Sequence, residues 1–161
     1  MTGATRHFAE FNIGTLRHDW DDPRVAEFAD ALDRVNAIAQ RSPGFVWMLG
    51  EDEMDAAQTD GDGVLGGNPR TASTLSVWTD AESLGAFAFN TVHRVFYARG
   101  AEWFEEQDTP RLVMWYVEPG HRPTIEEAAE RLRILTEEGP GALAFGWAGT
   151  GVDFHRCGEA A

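Results

Sequence analysis

The chain is short of cysteine, of positive charge and of long apolar runs. Cys157 is its only cysteine, which excludes an intrachain disulfide and any metal site built from several cysteines. Thirteen Lys and Arg stand against twenty-seven Asp and Glu, a formal net charge of −14 that repels nucleic-acid phosphates and anionic lipid headgroups. No segment approaches the roughly 18 uninterrupted apolar residues of a membrane span, and "MTGATRHFAEF" lacks the apolar run of a signal peptide. We therefore expect a cytoplasmic protein that binds neither nucleic acid nor membrane.

Aromatic residues, in contrast, are abundant. Six Trp, ten Phe and two Tyr are more than the core of a 161-residue chain needs, so we expect some rings to line an interface or a cavity. The length predicts a single domain, which we place at residues 1–148. Residues 149–161 are expected to form a flexible C-terminal tail.

Hydrophobic periodicity predicts strands and helices in alternation. Four stretches have the composition or alternation of strands: residues 7–16, 45–49, 74–78 and 111–117. Three helices are predicted, the first after Asp22 and Pro23, the second from about Asp80 to Phe104 with a break at Gly100, and the third after Thr124. Thr79 with Glu82, and Thr124 with Glu127, have the spacing of capping boxes. "ALAFGW" is interpreted as a short closing strand.

Residues 51–70, "EDEMDAAQTDGDGVLGGNPR", are rich in Asp and Gly and are predicted to be a mobile loop. Their "DGDG" stretch suggests calcium, but an EF-hand loop that starts at Asp60 needs a Glu where Thr71 stands. We expect no metal site.

The order of the predicted elements is that of the split β-α-β-β-α-β pattern of ferredoxin-like domains, with an extra C-terminal helix. The predicted fold class is therefore α+β. Two helices on one face of the sheet would leave the other face uncovered. A homodimer that covers this face is the simplest solution.

Two polar residues on the first strand are candidates for a site. Glu10 and Asn12 share one strand face with Phe8, while Ala9 and Phe11 lie on the other. A polar pair on a partly aromatic face can orient a small ligand or hold an acid-base proton. The alternative is that this face is exposed to solvent. Three strand tryptophans either fill the core or a dimer interface or border one cavity: Trp47, Trp78 and Trp115.

His93 is the second candidate, within "TVHRVFYARGAEWF". On a helical wheel it lies at the edge of a broad apolar arc, beside Phe89 and Phe96. It can place one ring nitrogen in a pocket, or it can be a surface ring bonded to a neighbour. The arc consists of a predicted sheet-packing stripe, Leu84, Phe87, Ala88, Thr91 and Val95, and a second stripe, Phe89, Val92, Phe96 and Trp103. The second stripe needs a cover, which a dimer partner, the third helix or a ligand would supply. His121, in "PGHRP", is expected to be a turn or capping residue.

Several sequence blocks agree in order and spacing with a known family: "AEFNIGTL", "DDPRVAEFADALDRVNAIAQRSPGFVW", "LSVWTDAESLGAFAF", "HRVFYARGAEWF", "LVMWYVEPGHRPTIEEAAERL" and "EEGPGALAF". The chain resembles an uncharacterised bacterial family, a domain of unknown function, related to the antibiotic-biosynthesis monooxygenase-like dimeric α/β barrels. The resemblance implies a ferredoxin-like protomer that forms a dimeric α/β barrel. Met48 departs from it, because the family more often has a basic residue there.

For function the resemblance implies only a group of relatives that includes cofactor-independent oxygenases, haem-dependent dehydratases and dismutases, and small-molecule isomerases or degradative enzymes. Among these, we expect a small dimeric enzyme of specialised metabolism that acts on an apolar, aromatic or polyketide-like molecule without a cofactor. The reaction would be oxygenation or an acid-base rearrangement, with His93 and Glu10 as catalytic groups. Substrate-binding residues would be Asn12, Trp47, Trp78, Phe89, Phe96, Trp103 and Trp115. The alternatives are a haem-binding dehydratase or oxidoreductase with His93 as axial ligand, and a non-catalytic module that only binds a small molecule.

Overall fold

The computed structural model describes residues 6–90 and 93–151. It is an α+β structure in which helices pack on a four-stranded antiparallel sheet with the strand order β2-β3-β1-β4. The strands are β1 (His7–Thr15), β2 (Phe45–Met48), β3 (Thr71–Trp78) and β4 (Leu112–Val117). The helices are α1 (Ala26–Arg41), α2 (Glu51–Thr59), α3 (Ala81–Asn90), α4 (His93–Ala98), α5 (Gly100–Trp103) and α6 (Ile125–Glu138). Thr91, Val92 and Cys157 lie outside the described residues.

Strand β1 lies at the centre of the sheet and determines which side chains meet. It pairs with β3 on one side and with β4 on the other. Glu10 lies opposite Ser76 of β3, and Asn12 lies opposite Thr74. Because alternate side chains of a strand point to opposite faces, these four polar side chains share one face of the sheet.

Both faces of the sheet are covered within the protomer. The face that carries Glu10, called here the cavity face, lies under α1 and α3 through residues such as Val35 and Phe87. The opposite face, called here the packed face, lies under α6 and α2 and buries Phe11 and Leu75 completely. The expectation of an uncovered sheet face was therefore wrong, because α6 and α2 fill the place assigned to a partner subunit.

Part of the predicted 51–70 loop is a helix, α2 (Glu51–Thr59). Three acidic residues in the first turn of α2 stabilise this helix, because their negative charge lies at the positive N-terminal end of the helix dipole: Glu51, Asp52 and Glu53. Gln58 accepts hydrogen bonds from the backbone N–H and the hydroxyl of Ser73, both at 2.8 Å. The short strand β2 pairs with β3 only up to Ser76, so the Gln58 side chain satisfies a backbone donor beyond the end of β2. The sequence pattern of residues 51–70 gives no indication of this tertiary contact.

The long helix predicted from Asp80 to Phe104 corresponds to α3, α4 and α5 among the described residues. The break at Gly100 was predicted, and α5 begins there. Val95, which was placed on the sheet-packing stripe, is 48% exposed. The carboxylate of Asp80, rather than Thr79, accepts the Ser83 N–H in the first turn of α3, at 2.7 Å.

Other local predictions agree with the structure. The Asp22 carboxylate accepts from the Arg24 N–H at 2.8 Å, and the Thr124 hydroxyl accepts from the Glu127 N–H at 3.1 Å. The α6 helix ends at Gly139, whose φ of 78° suits glycine. The predicted closing strand is reduced to a single bridge between Met114 and Phe145.

Candidate active site

A cavity of about 1220 Å³ lies between the cavity face of the sheet and helices α1, α3 and α4, and residues of α2, such as Glu51 and Asp55, also line it. Its walls include the rings of Trp78, Phe87 and Phe96. Its floor consists of the polar residues that β1 and β3 place side by side: Glu10, Asn12, Thr74 and Ser76. Apolar walls around a few convergent polar groups are typical of small-molecule sites.

The floor is one hydrogen-bonded network centred on Glu10, which is only 4% exposed. The Asn12 amide donates to Glu10 Oε1 at 2.6 Å and to the Thr74 hydroxyl at 2.6 Å. The Ser76 hydroxyl donates to Glu10 Oε2 at 3.3 Å and accepts from the Trp78 indole N–H at 3.0 Å. The carboxyl of Glu10 is therefore held at both oxygens by neutral donors.

Burial raises the pKa of Glu10 to about 7, because loss of water disfavours the charged carboxylate. The hydrogen bonds from Asn12 and Ser76 act in the opposite direction and lower this pKa. A carboxyl that titrates near neutral pH can both accept and return a proton under physiological conditions.

His93 lies at the start of α4 and lines the same cavity. Its Nδ1 is 3.1 Å from the carbonyl oxygen of Ala88. A carbonyl oxygen only accepts, so Nδ1 carries the hydrogen and Nε2 carries the lone pair in the neutral ring. Burial lowers the pKa of His93, an effect that the Ala88 carbonyl partly opposes. The ring is therefore held neutral, in the form that acts as a base or a hydrogen-bond acceptor.

Aromatic contacts connect the two candidate groups. The His93 ring lies 4.8 Å from Phe87, and Phe87 stacks on Trp78 with centroids 5.5 Å apart. Trp78 in turn donates to Ser76, which contacts Glu10. Glu10 and His93 are thus connected, through Ser76, Trp78 and Phe87, around the same cavity.

The aromatic residues predicted from sequence separate into two groups. Trp78 and Phe96 line the cavity. The Trp103 ring stacks on the Phe96 ring with centroids 5.6 Å apart, and the guanidinium of Arg99 lies over the Trp103 ring. Phe89 packs against Trp147 with centroids 5.0 Å apart and does not line the cavity. Within the second apolar stripe, Phe89 is thus covered by Trp147 of this chain's own C-terminal segment, and Trp103 is covered by Phe28 of α1.

Trp47 and Trp115 lie on the packed face, not in the cavity. The Trp115 indole donates to Glu127 of α6 at 2.9 Å, and His121 Nε2 lies 2.6 Å from the same carboxylate. The idea that all three strand tryptophans border one cavity was wrong for these two. Strand β4 presents Trp115 in register with Ala9, whose side chain points away from Glu10.

The cavity residues that sequence reasoning missed include Thr74, Ser76, Phe87 and Trp147. A signal for the first two was present in "TASTLSVW", where Thr74 and Ser76 alternate with buried Leu75 and Val77. Polar residues on one face of a central strand that also carries Trp78 indicate a polar site within a covered layer. Trp147 had no local signal.

Residues 6–90 and 93–151 contain neither a candidate metal site nor a candidate membrane span. No group of three or more His, Cys, Asp or Glu in these residues could hold a metal ion. No helix within them has both the length and the apolar character needed to cross a membrane.

Comparison with known proteins gives a family match and two solved structures. The family model described as "Domain of unknown function (DUF3291)" matches residues 7–154. A protein of unknown function from Nitrosomonas europaea, NE2512, has a TM-score of 0.47 at 15% identity, covering 76% of this chain and 99% of its own. SnoaB, a cofactor-independent oxygenase from Streptomyces nogalater, has a TM-score of 0.43 at 17% identity, covering 74% of this chain and 97% of its own. No curated protein matches the chain.

Proposed function

Because the chain belongs to the family described as a domain of unknown function (DUF3291), its reaction has to be inferred from its site. We propose that it is an enzyme that binds a ring-bearing small molecule in the cavity and moves a proton to or from it through Glu10 and His93. The observation that carries this proposal is the Glu10 carboxyl, buried on the floor of an aromatic cavity and held by Asn12 and Ser76. A buried carboxyl without a cationic partner costs stability, and such groups concentrate at functional sites.

In the proposed step, ionised Glu10 or neutral His93 removes a proton from an acidic C–H or phenolic O–H of the ligand. The proton moves to Glu10 or His93 as the enolate or phenolate forms, so the total charge inside the cavity does not change. Reprotonation at another atom completes a rearrangement. In an oxygenation, the anion transfers electrons to dioxygen, so that a CH₂ group and O₂ become a carbonyl and water.

The strand order supports the ferredoxin-like interpretation of the fold. With α2 set aside as an insertion, the elements up to β4 run in the order β-α-β-β-α-β. Homodimerisation remains a proposal that rests on the resemblance alone, since the packed face is already covered. Native mass spectrometry of the purified protein would report the number of subunits and any bound small molecule.

Haem is a second candidate, favoured by the hydrogen bond from His93 Nδ1 to the Ala88 carbonyl. Histidines that bind metals commonly donate their other ring N–H to a backbone carbonyl or carboxylate. His93 would then hold the iron through Nε2, and bound haem would supply redox or dehydration chemistry. A Soret band after addition of haem that is lost in His93→Ala would support this role, and its absence would exclude it.

The proton-transfer proposal is tested by hydrogen exchange in D₂O. The probe is 2-tetralone, a bicyclic aromatic ketone with an acidic C–H beside its carbonyl, and deuterium incorporation is read by mass spectrometry. We expect Glu10→Gln and His93→Ala each to slow the protein-catalysed exchange by about 10²-fold or more, because each removes a proton acceptor.

Glu127→Gln is the matched control, because Glu127 also accepts from a tryptophan indole but lies on the packed face. It should leave the exchange unchanged. Oxygen uptake measured in parallel distinguishes oxygenation from rearrangement. Exchange that is equally fast in Glu10→Gln and His93→Ala would contradict the assigned roles, and binding without exchange would favour the non-catalytic module.

A further inference from the structure

We propose that the cavity selects its ligand by charge: it accepts cationic and uncharged ring-bearing molecules and rejects carboxylates and phosphates. This inference rests on the proposed function, because it specifies the substrate class of the same site. The supporting observations are which charged side chains line the cavity and whether other residues of the protein neutralise their charge.

Three carboxylates line the exposed mouth of the cavity: Asp33 of α1 and Glu51 and Asp55 of α2. Glu51 and Asp55 are four residues apart, so both lie on the same side of α2. None of the three side chains forms an ion pair or a hydrogen bond with any residue that the structure describes. Their charge is therefore not neutralised by the protein around the mouth.

Positive charge in the lining is scarce. Among the described residues, Arg111 is the one Lys or Arg that lines the cavity. Its guanidinium donates to the backbone oxygen of Glu105 and lies 5.9 Å from the centroid of the Phe104 ring. His93 is held neutral by burial, which lowers its pKa. Ionised Glu10 adds a further negative charge on the floor.

The net charge of the whole chain also favours cations over anions. A formal net charge of −14 produces a negative potential, and low-dielectric clefts focus such a field. An anion that enters the cavity would lose hydration, and among the described lining residues Arg111 is the one cationic side chain that could compensate, against the three mouth carboxylates. A cation would gain attraction at the mouth, and an uncharged molecule would be largely indifferent to the field.

The aromatic walls of the cavity decide the rest of the ligand class. Trp78, Phe87 and Phe96 line it, and aromatic faces attract a cation as well as an uncharged ring. The favoured ligand is thus an aromatic ketone, phenol, alcohol or amine.

The same argument opposes two other occupants. Haem carries two carboxylates, and a substrate attached to coenzyme A carries phosphates. Both would bring negative charge to a mouth that already holds Asp33, Glu51 and Asp55. Charge selection therefore favours the proton-transfer proposal over the haem alternative.

The test uses three naphthalene probes that differ mainly in charge: 1-naphthylmethylamine, 1-naphthylmethanol and 1-naphthoate. Affinities are measured by calorimetry at pH 8 in low salt and again in about 0.5 M salt, where charge interactions are screened. We expect the amine to bind at least as tightly as the alcohol, and the naphthoate about tenfold or more weakly than the amine. Salt should reduce this preference.

Charge-neutral variants identify the residues responsible. The triple variant Asp33→Asn, Glu51→Gln, Asp55→Asn should lose most of the preference for the amine over naphthoate. The control triple variant Asp30→Asn, Asp52→Asn, Glu53→Gln removes the same charge from the same two helices but outside the cavity. It should keep most of the preference.

Each outcome decides the proposal. Naphthoate that binds the wild-type protein as tightly as the alcohol would overturn charge selection and leave the proposed function standing. An equal loss of preference in both triple variants would overturn the role of the mouth carboxylates. If none of the three probes binds, the proposed aromatic-binding function fails, and charge selection fails with it.

Discussion

The two faces of the sheet use the same strands for different purposes. On the packed face, Phe11, Leu75 and Val113 are completely buried in the cluster formed with α6 and α2. On the cavity face, the neighbouring positions Glu10, Asn12 and Ser76 form a buried polar network under an aromatic cavity. Apolar burial on the first face stabilises the fold. The polar network reduces stability and is typical of a functional site.

Two tryptophans show this difference most directly. Trp78 and Trp115 are both fully buried on strands, and each indole N–H has a side-chain acceptor. The acceptor of Trp115 is Glu127, a residue of the covering helix α6, so the bond attaches helix to sheet. The acceptor of Trp78 is Ser76, which also contacts Glu10, so the bond helps to orient the carboxyl of the proposed site. A buried indole bond is thus structural or functional according to what its partner touches.

The largest expected effect comes from truncating the packed face. Phe11→Ala should lower the free energy of unfolding by about 3–5 kcal/mol, because it leaves a cavity in a closed core. Asn12→Ala, one residue away on the cavity face, should cost only about 1 kcal/mol but should raise the pKa of Glu10, since it removes a donor to the carboxylate. Urea denaturation and ¹³C titration of Glu10 measure the two effects. Equal destabilisation by both variants would break the comparison.

Glu10 should make stability depend on pH. Its pKa rises from an ordinary 4.5 to about 7 on folding, so the folded state binds more protons between these values. The free energy of unfolding should therefore fall as pH rises from about 4.5 to 7, by up to about 3 kcal/mol from this residue. Glu10→Gln should remove this fall and should be more stable than wild type at pH 8.

Urea denaturation from pH 4.5 to 8 measures this dependence in both proteins. Glu127→Gln on the packed face serves as control and should retain the wild-type slope. An unchanged slope in Glu10→Gln would mean that Glu10 is not a buried acid that titrates near neutral pH.

The last prediction tests the contrast between the indole hydrogen bonds of Trp78 and Trp115. Ser76→Ala removes the acceptor of Trp78 and a donor to Glu10, and should cost about 1–3 kcal/mol. It should also raise the pKa of Glu10 above about 7, since the Ser76 hydrogen bond lowers it. Trp115→Phe loses the other indole bond and should leave that pKa unchanged. An upward shift in Trp115→Phe as large as in Ser76→Ala would show that the faces are coupled.

Local patterns predicted more of the fold than of the site. The alternation of β1 correctly separated Phe8 and Glu10 from Ala9 and Phe11, because the period of a strand is a local property. The cap at Thr124 was equally local. Helix α2 was missed, because its stabilising contact, Gln58 with Ser73, joins segments that are distant along the chain. Four aromatic residues expected to bind substrate do not line the cavity: Trp47, Phe89, Trp103 and Trp115. Composition shows that rings are in excess but not which face receives them.

By itself the sequence determined the α+β class, which polar residues share a strand face, and the scarcity of positive charge, since each follows from composition or short-range spacing. Only the tertiary structure decided that the face of Glu10 would close into a cavity while the opposite face would be covered by α6 and α2. Glu10 meets Ser76 across 66 residues of chain, and the helices that remove water from its carboxyl come from three further segments. Burial, and with it the raised pKa of Glu10, depends on how distant segments pack together, and no local period encodes it.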